Sequence, residues 1–432
     1  MGVLACGANL FGQLIANSDP ILCCPTDVIH MKDAQTAHIT FTHVFLKTEK
    51  CWKGFGFENS FLSDINTVDV KWKVSVSENK IAAINDRNDI IILEEGKSWR
   101  SIHMQPITPL EEEEEANNIV YSLPDKKDIN SDAFISRISC KDQKGNENIH
   151  ITESVNNIKK KGRNQELKSE FIKVLVDNKN LLALDEDGQL YSGCIHVPLP
   201  GIQIADICIG AESYIALTKN GDVLTWGSGM RGQLGNESLQ ACEEPQIVES
   251  LCGLGIVQVA AGAWHCAALS KTGDVYMWGW NESGQLGFLS KTLQENSQFP
   301  SHHHKCICKN SAKHTKFKNT QTSTEDSFIE ALTNDNLHLV NNERSIEVIN
   351  VQMSPKLLDF WQEDVNITHV ACGDRHTIFS LDNGSTWAVG MNKYGQLGIG
   401  DTCSRDSPVC IPVLGVEKVI AGAWNTLLIT KN

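Results

Sequence analysis

AGAWHCAALSKTGDVYMWGWNESGQLG, residues 261 to 287, decides the fold, because the chain repeats it. Moved back by 52 positions, its 26 residues from Gly262 fall without a gap on GAESYIALTKNGDVLTWGSGMRGQLG. Trp278-Gly279 lands on Trp226-Gly227, and Gly284-Gln285-Leu286 on Gly232-Gln233-Leu234. Moved forward by 111 it falls on GDRHTIFSLDNGSTWAVGMNKYGQLG, which pairs His265 with His376 and Gly284-Gln285 with Gly395-Gln396. Self-similarity at a period near 50 residues marks a repeat architecture whose core is distributed along the chain, as a length of 432 residues also suggests.

Two further shifts explain how the chain begins and ends. Adding 160 maps Gly262 to Gly422, Trp264 to Trp424 and Thr272 to the last residue, Asn432. Subtracting 272 maps Gly273 to Met1, Gly279 to Gly7 and Gln285-Leu286 to Gln13-Leu14. The final repeat thus breaks off at its hairpin turn, and GVLACGANLFGQL at the start supplies the missing half. Pairing the two ends in one sheet closes a ring and removes exposed sheet edges. Weaker strand-turn-strand copies stand at 73–93, 173–193 and, with small gaps, 43–57. The expected fold is all-β: a single seven-bladed propeller over 1–432, closed by its N- and C-terminal strands in one blade.

The recurrent residues read as scaffold. Gly262 suits a close backbone approach or a positive φ. Trp226 and Trp278 offer large rings to wedge between neighbouring sheets, each with an N–H for one partner. In the loops containing Gly232, Gln233, Gly284, Gln285, Leu286, Gly395 and Gln396, glycine permits the turn, leucine plugs the core and glutamine can bond backbone. His265 and His376 share one step of the repeat and read as a recurring structural hydrogen bond, because an enzyme seldom repeats its base from blade to blade. Gly279 completes the Trp-Gly mark.

The position before that histidine does not repeat chemically: Glu212, Trp264, Arg375 and Trp424. Ring geometry places these side chains at one height on one face near the axis. Trp280 is similar, since its equivalents are Ser228, Met391 and Ala8. Trp and Arg gathered on one face fit a partner-binding hot spot, and blade-to-blade packing fits them equally.

The Trp-Gly, Gly-Gln-Leu-Gly and Ala-Gly…His marks resemble the regulator of chromosome condensation family of seven-bladed propellers. The resemblance is strong over 205–288 and 367–432, clear over 1–14 and faint over 38–194. The Gly-His…Trp-Asp pairs of WD40 propellers do not recur at the right spacing, and kelch repeats would show paired glycines. The wording GAWHC, GWNESGQL, DRHT, KYGQLG and GAWNT is similar to a small member of the family that works beside a JmjC-type oxygenase. The resemblance implies a noncatalytic chromatin adaptor, in the nucleus, on chromosomes and also in the cytoplasm, that influences histone lysine methylation, chromosome segregation and spindle organisation. It implies a JmjC-type oxygenase as partner, and histones beside it. The alternative is guanine-nucleotide exchange on a small GTPase, which in this family depends on a projecting hairpin wedge and a basic tail. An adaptor for microtubules or a ubiquitin ligase is a third reading.

Composition narrows the classes further. A formal charge of −15 repels a nucleic-acid backbone and attracts basic partners, so no direct DNA binding is expected. No apolar run reaches membrane-spanning length, MGVLACGANL carries no export signal, and Cys6 stands where myristoylation wants Ser or Thr. The 15 cysteines read as reduced thiols, the propeller as a monomer, and no cofactor or catalytic residue is expected. Residues 94–170 and 289–350 break the spacing and read as surface insertions. The first holds Glu111 to Glu115 and KKKGR at 159–163, a solvated run that could also serve as a nuclear import signal. The second holds His302, His303, His304, Cys306, Cys308 and His314, crowded into one stretch rather than spaced in the pairs of a structural zinc site, so no metal is expected.

Overall fold

The computed structural model describes residues 2–10, 13–14, 19–28, 35–40, 42–56, 65, 68–94, 97–102, 104, 169–177, 179–297, 348–361 and 365–430. The Glu111–Glu115 run, the basic run at 159–163 and the His/Cys group at 302–314 lie outside them.

In chain order, β1 (Gly2–Ala8) and β2 (Ile21–Asp27) come first. A three-stranded sheet follows: β3 (Thr36–Ile39), β4 (His43–Lys47) and β5 (Trp52–Gly56). The next four strands, β6 (Lys73–Val76), β7 (Lys80–Ile84), β8 (Ile90–Glu94) and β9 (Arg100–Ile102), make one sheet. Then come β10 (Phe171–Val176), β11 (Leu181–Asp185), β12 (Leu190–Ser192) and β13 (Ile195–Val197). The strongest repeats supply β14 (Ile204–Ile209), β15 (Ser213–Thr218), β16 (Val223–Gly227) and β17 (Cys242–Ile247), then β18 (Ile256–Ala261), β19 (His265–Ser270), β20 (Val275–Trp280) and β21 (Val351–Leu357). A sixth sheet holds β22 (Ile367–Cys372), β23 (His376–Leu381), β24 (Thr386–Gly390) and β25 (Arg405–Ile411). The last strands, β26 (Val416–Ala421) and β27 (Asn425–Thr430), pair with β1 and β2 in the order β2-β1-β27-β26. Seven antiparallel sheets therefore form a seven-bladed propeller, and its closing blade is the one expected from the sequence.

The first strands of successive blades contact one another around the axis, from β3 through β6, β10, β14, β18 and β22 to β26. The circle closes where Lys418 Nζ reaches Thr36 Oγ1 at 3.4 Å and Ile39 packs against Gly422. Second strands sit in the middle of each blade, so all six residues of β15 and of β19 are buried. Outer strands face solvent and end the pairing. Each of β2, β17, β21 and β25 carries a proline, which lacks the N–H that an added strand would need. Apolar side chains fill the gaps between blades: Trp278, fully buried, packs with Ile215, Leu217 and Val223 of the preceding sheet. Of the stretches read as insertions, 94–170 contributes β9, and 289–350 opens with the short helix α1 (Lys291–Ser297). Among the described residues no helix is long and apolar enough to cross a membrane.

Candidate functional site: the blade-junction face

In four blades the first-to-second-strand turn is fixed by the same backbone bond. Trp280 N–H donates to the Trp264 carbonyl at 2.8 Å, and Ser228 to Glu212, Met391 to Arg375 and Ala8 to Trp424 repeat it at 2.8–2.9 Å. Glycine precedes each donor because a Cβ has no room there. At Gly279 (φ +104°) it would sit 2.5 Å from the Trp264 carbonyl oxygen, and Gly7, Gly227 and Gly390 meet the equivalent oxygens at 2.4–2.5 Å. Blade is tied to blade one step earlier, where Ala211 N–H donates to Ala263 O (2.9 Å) and Ala263 N–H to Asp374 O (3.2 Å).

A second set of bonds crosses three junctions through the Gly-Gln-Leu loops. Gln285 Oε1 accepts from Ser283 N–H, Gln396 Oε1 from Tyr394 N–H and Gln233 Oε1 from Arg231 N–H, at 2.9–3.0 Å. Their backbone carbonyls accept from the next blade: Gln233 from Trp278 Nε1 (2.9 Å), Gln285 from Thr377 Oγ1 (2.7 Å) and Gln396 from Thr426 Oγ1 (2.8 Å). Leu286 is buried. A Cβ on Gly232, Gly284 or Gly395 would press into β21, β25 or β2, the outer strand of the following blade, at 3.0 Å or less. Trp226, 5% exposed, stacks on Tyr214 with centroids 5.3 Å apart. Asn9, Asn281 and Asn392 grip the same loops, each accepting from the leucine N–H at 2.8–3.0 Å. The sequence reading did not single them out as site residues, although the same shifts align them.

His265 and His376 close a relay. Each Thr hydroxyl donates its proton to a Gln carbonyl, so it accepts from the histidine: His265 Nε2 to Thr377 Oγ1 at 2.9 Å, His376 Nε2 to Thr426 Oγ1 at 3.0 Å. Both rings are therefore neutral with the proton on Nε2. Burial pushes the His265 pKa down to about 3, with His376 adding to the effect, and burial pushes His376 to about 4. Each ring lies against a glycine, and a Cβ on Gly262 or Gly373 would stand 2.2 or 2.1 Å from its Cε1.

On this frame the non-repeating residues meet in pairs across junctions. Lys179 pairs with Glu212. Arg231 lies over the ring of Trp264, with Cζ 4.4 Å from the centroid. Glu282 reaches Arg375 at 3.9 Å, and Tyr394 stacks on Trp424 with centroids 4.6 Å apart and planes 8° from parallel. Arg231, Ser283 and Tyr394 occupy one step of the repeat, immediately before Gly-Gln-Leu, and Arg231 and Tyr394 touch the 264-type residue of the following blade. Of the residues expected to bind a partner, Trp264, Trp280 and Arg375 come together. Trp264 and Trp280 meet edge to face at 5.3 Å, and Arg375 Cζ lies 5.3 and 4.6 Å from their centroids. Arg231 joins them at 4.0 Å from Trp280. Glu212 and Trp424 belong to neighbouring junctions instead.

The two models of the regulator of chromosome condensation (RCC1) repeat match this chain, one at 220–269, 272–308 and 383–429, the other at 204–233, 256–285 and 367–396. Over those residues the chain is similar to the RCC1 repeat. The mouse and human RCC1 domain-containing protein 1 are 35% and 34% identical to it over 232 residues, 52% of this chain and 55% and 56% of theirs, so the match spans little more than half the length of those relatives. Among solved structures, human WBSCR16 superposes with a TM-score of 0.61 at 14% identity over 100% of this chain and 99% of its own. Prp20p of Saccharomyces cerevisiae does so with 0.62 at 13% over 100% and 92%. Both share the propeller fold.

The chemistry of the junction face is that of binding. Arg231, Trp264, Trp280 and Arg375 are all half-buried. Among the described residues no three His, Cys, Asp or Glu side chains gather as metal ligands do. Asp374 lies next to Arg375, and burial, aided by Glu78, pushes its carboxyl up to about 6 against the pull of that arginine. Although the whole chain is acidic, the junction at Trp264 gathers two guanidiniums on one pair of rings, with Glu282 and the buried Asp374 beside Arg375.

Proposed function

We propose that this chain is a noncatalytic adaptor that docks a protein partner on the junction face built around Trp264 and Trp280. One observation carries this reading. Trp280 stands where the same scaffold accepts Ser228, Met391 and Ala8, yet two tryptophans and two arginines are stacked there with solvent access. Tryptophan and arginine at the centre of a contact surface are the residues that most often dominate binding energy. The resemblance of the marked repeats supports a JmjC-type oxygenase as partner, histones beside it, and chromatin in the nucleus as the setting. Histone lysine methylation, chromosome segregation and spindle organisation are then the processes affected.

Affinity capture from nuclear and cytosolic extracts tests it, with the full chain and with a Trp264→Ala/Trp280→Ala variant of unchanged melting temperature. The expected result is a JmjC-type oxygenase retained by the wild type and reduced at least about tenfold on the variant, since loss of one hot-spot side chain typically costs 2 kcal/mol or more. Equal capture by both proteins would overturn the face, and capture without an oxygenase would overturn the partner. Guanine-nucleotide exchange on a small GTPase is the competing role, and rapid release of labelled nucleotide from a loaded GTPase would favour it.

A further inference from the structure

We infer that the cluster of Arg231, Trp264, Trp280 and Arg375 takes an acidic segment of its partner, a carboxylate on the guanidiniums beside an apolar residue on the indoles. This rests on the docking face proposed above and adds the chemistry of what docks. Among the described residues, no carboxylate lies within ion-pair distance of Arg231 and no acceptor engages its guanidinium, which is held only by the two rings at 4.4 and 4.0 Å. Arg375 has Glu282 at 3.9 Å, the outer limit of an ion pair, with the two side chains 32% and 41% exposed.

Two like charges thus share one pair of rings, and the carboxyl groups nearby, Glu282 and the buried Asp374, both lie on the Arg375 side. Contact with a ring satisfies none of a guanidinium's N–H donors, and a carboxylate matches that fork with two parallel bonds. An incoming carboxylate also relieves the repulsion between the arginines, whereas a lysine or arginine would add to it. The indole edges supply the apolar half, and Met230, next to Arg231 in the chain, is 76% exposed. The charge of the protein as a whole sharpens the choice. At −15 it draws basic chains over its general surface, so a site that selects acid must do so locally, as this one does.

Selection of a random dodecapeptide display library on the immobilised full chain tests the inference. The expected outcome is enrichment of Asp or Glu beside an apolar residue. Binding of an enriched peptide should weaken with added salt, and fall at least about tenfold on Arg231→Glu/Arg375→Glu and on Trp264→Ala/Trp280→Ala. Arg231→Lys, which keeps the charge and the fold but not the planar fork, should fall by less. Enrichment of Lys or Arg, or undiminished binding of acidic peptides by the Arg→Glu protein, would overturn it. Binding lost with the tryptophans but kept without the arginines leaves the docking face standing and removes the acidic chemistry. Binding indifferent to both pairs removes the face as well.

Discussion

Deleting residues 2–8 is expected to unfold the protein rather than trim it. β1 lies between β27 and β2, in register from Gly2 opposite Thr430 to Gly7 opposite Asn425, with Val3, Ala5, Cys6 and Ala8 fully buried. Its removal leaves β2 without a neighbour, exposes Leu427 and Ile429, and frees the edge of β27 as a template for aggregation. At about 1.5–3 kcal/mol for each large apolar side chain returned to water, the loss is on the order of 5 kcal/mol or more, comparable with the whole stability of many domains. Thermal melting should show a midpoint lowered by at least about 5 °C, with aggregates on size exclusion. A synthetic peptide of residues 1–28 added in trans should restore the folded monomer. A deletion protein melting within about 2 °C of the intact chain would refute the closure.

The second large effect is acid lability centred on His265 and His376. Protonation would place a hydrogen on each Nδ1, which has no hydrogen-bond partner in its buried site. Their folded pKa values of about 3 and about 4 lie below the value near 6.5 of an unfolded histidine, so the unfolded chain takes up protons first. Stability is therefore whole above about pH 6.5 and is lost as pH falls toward 4, by up to about 1.4 kcal/mol per pH unit for each ring. Between pH 6.5 and 4.5 the two together remove on the order of 5 kcal/mol. His38, lowered to about 4 chiefly by burial, adds to this. Asp374, raised to about 6, works the other way over the same range.

Substitution separates the histidine share. Asn425 holds the equivalent place in the closing blade and donates from Nδ2 to the Ala8 carbonyl at 2.7 Å, so asparagine is compatible with this step of the repeat. Urea unfolding across that pH range should show a slope smaller by nearly two protons in His265→Asn/His376→Asn than in the wild type. Parallel curves would refute the neutral relay, whatever the absolute stability of the variant.

How far the residues disclose the fold depends on which contacts repeat. The Gly-Gln-Leu loops recur because each bonds the following blade, and the glycine of each Trp-Gly step recurs because a carbonyl of its own blade leaves no room for a Cβ. A single alignment therefore places β18 to β20, β22 to β24 and the joint of β1 with β27. Strands β6 to β8 keep only apolar strand-turn-strand character, yet the shift of 185 still sets them correctly against β18 to β20. Outer strands are less legible, since they pack on one side only and their distance from β20 or β8 varies with the intervening loop. In the site, Trp264, Trp280 and Arg375 stand out as departures from the repeat. Arg231 and Tyr394 do not, because their partners belong to the following blade and lie about 30 residues away in sequence. The charge of the junction is hidden for a related reason: a chain average says nothing of two arginines brought to one pair of rings.

Ring closure is tested most directly by hydrogen exchange of the intact protein, followed by mass spectrometry of peptides covering residues 2–8. In the closed ring β1 is an interior strand of its blade, as β20 is, so its amides from Val3 to Gly7 should be protected to about the same extent as those of Val275 to Trp280. Exchange of that segment at the rate of an unpaired terminus, with β20 still protected, would contradict it.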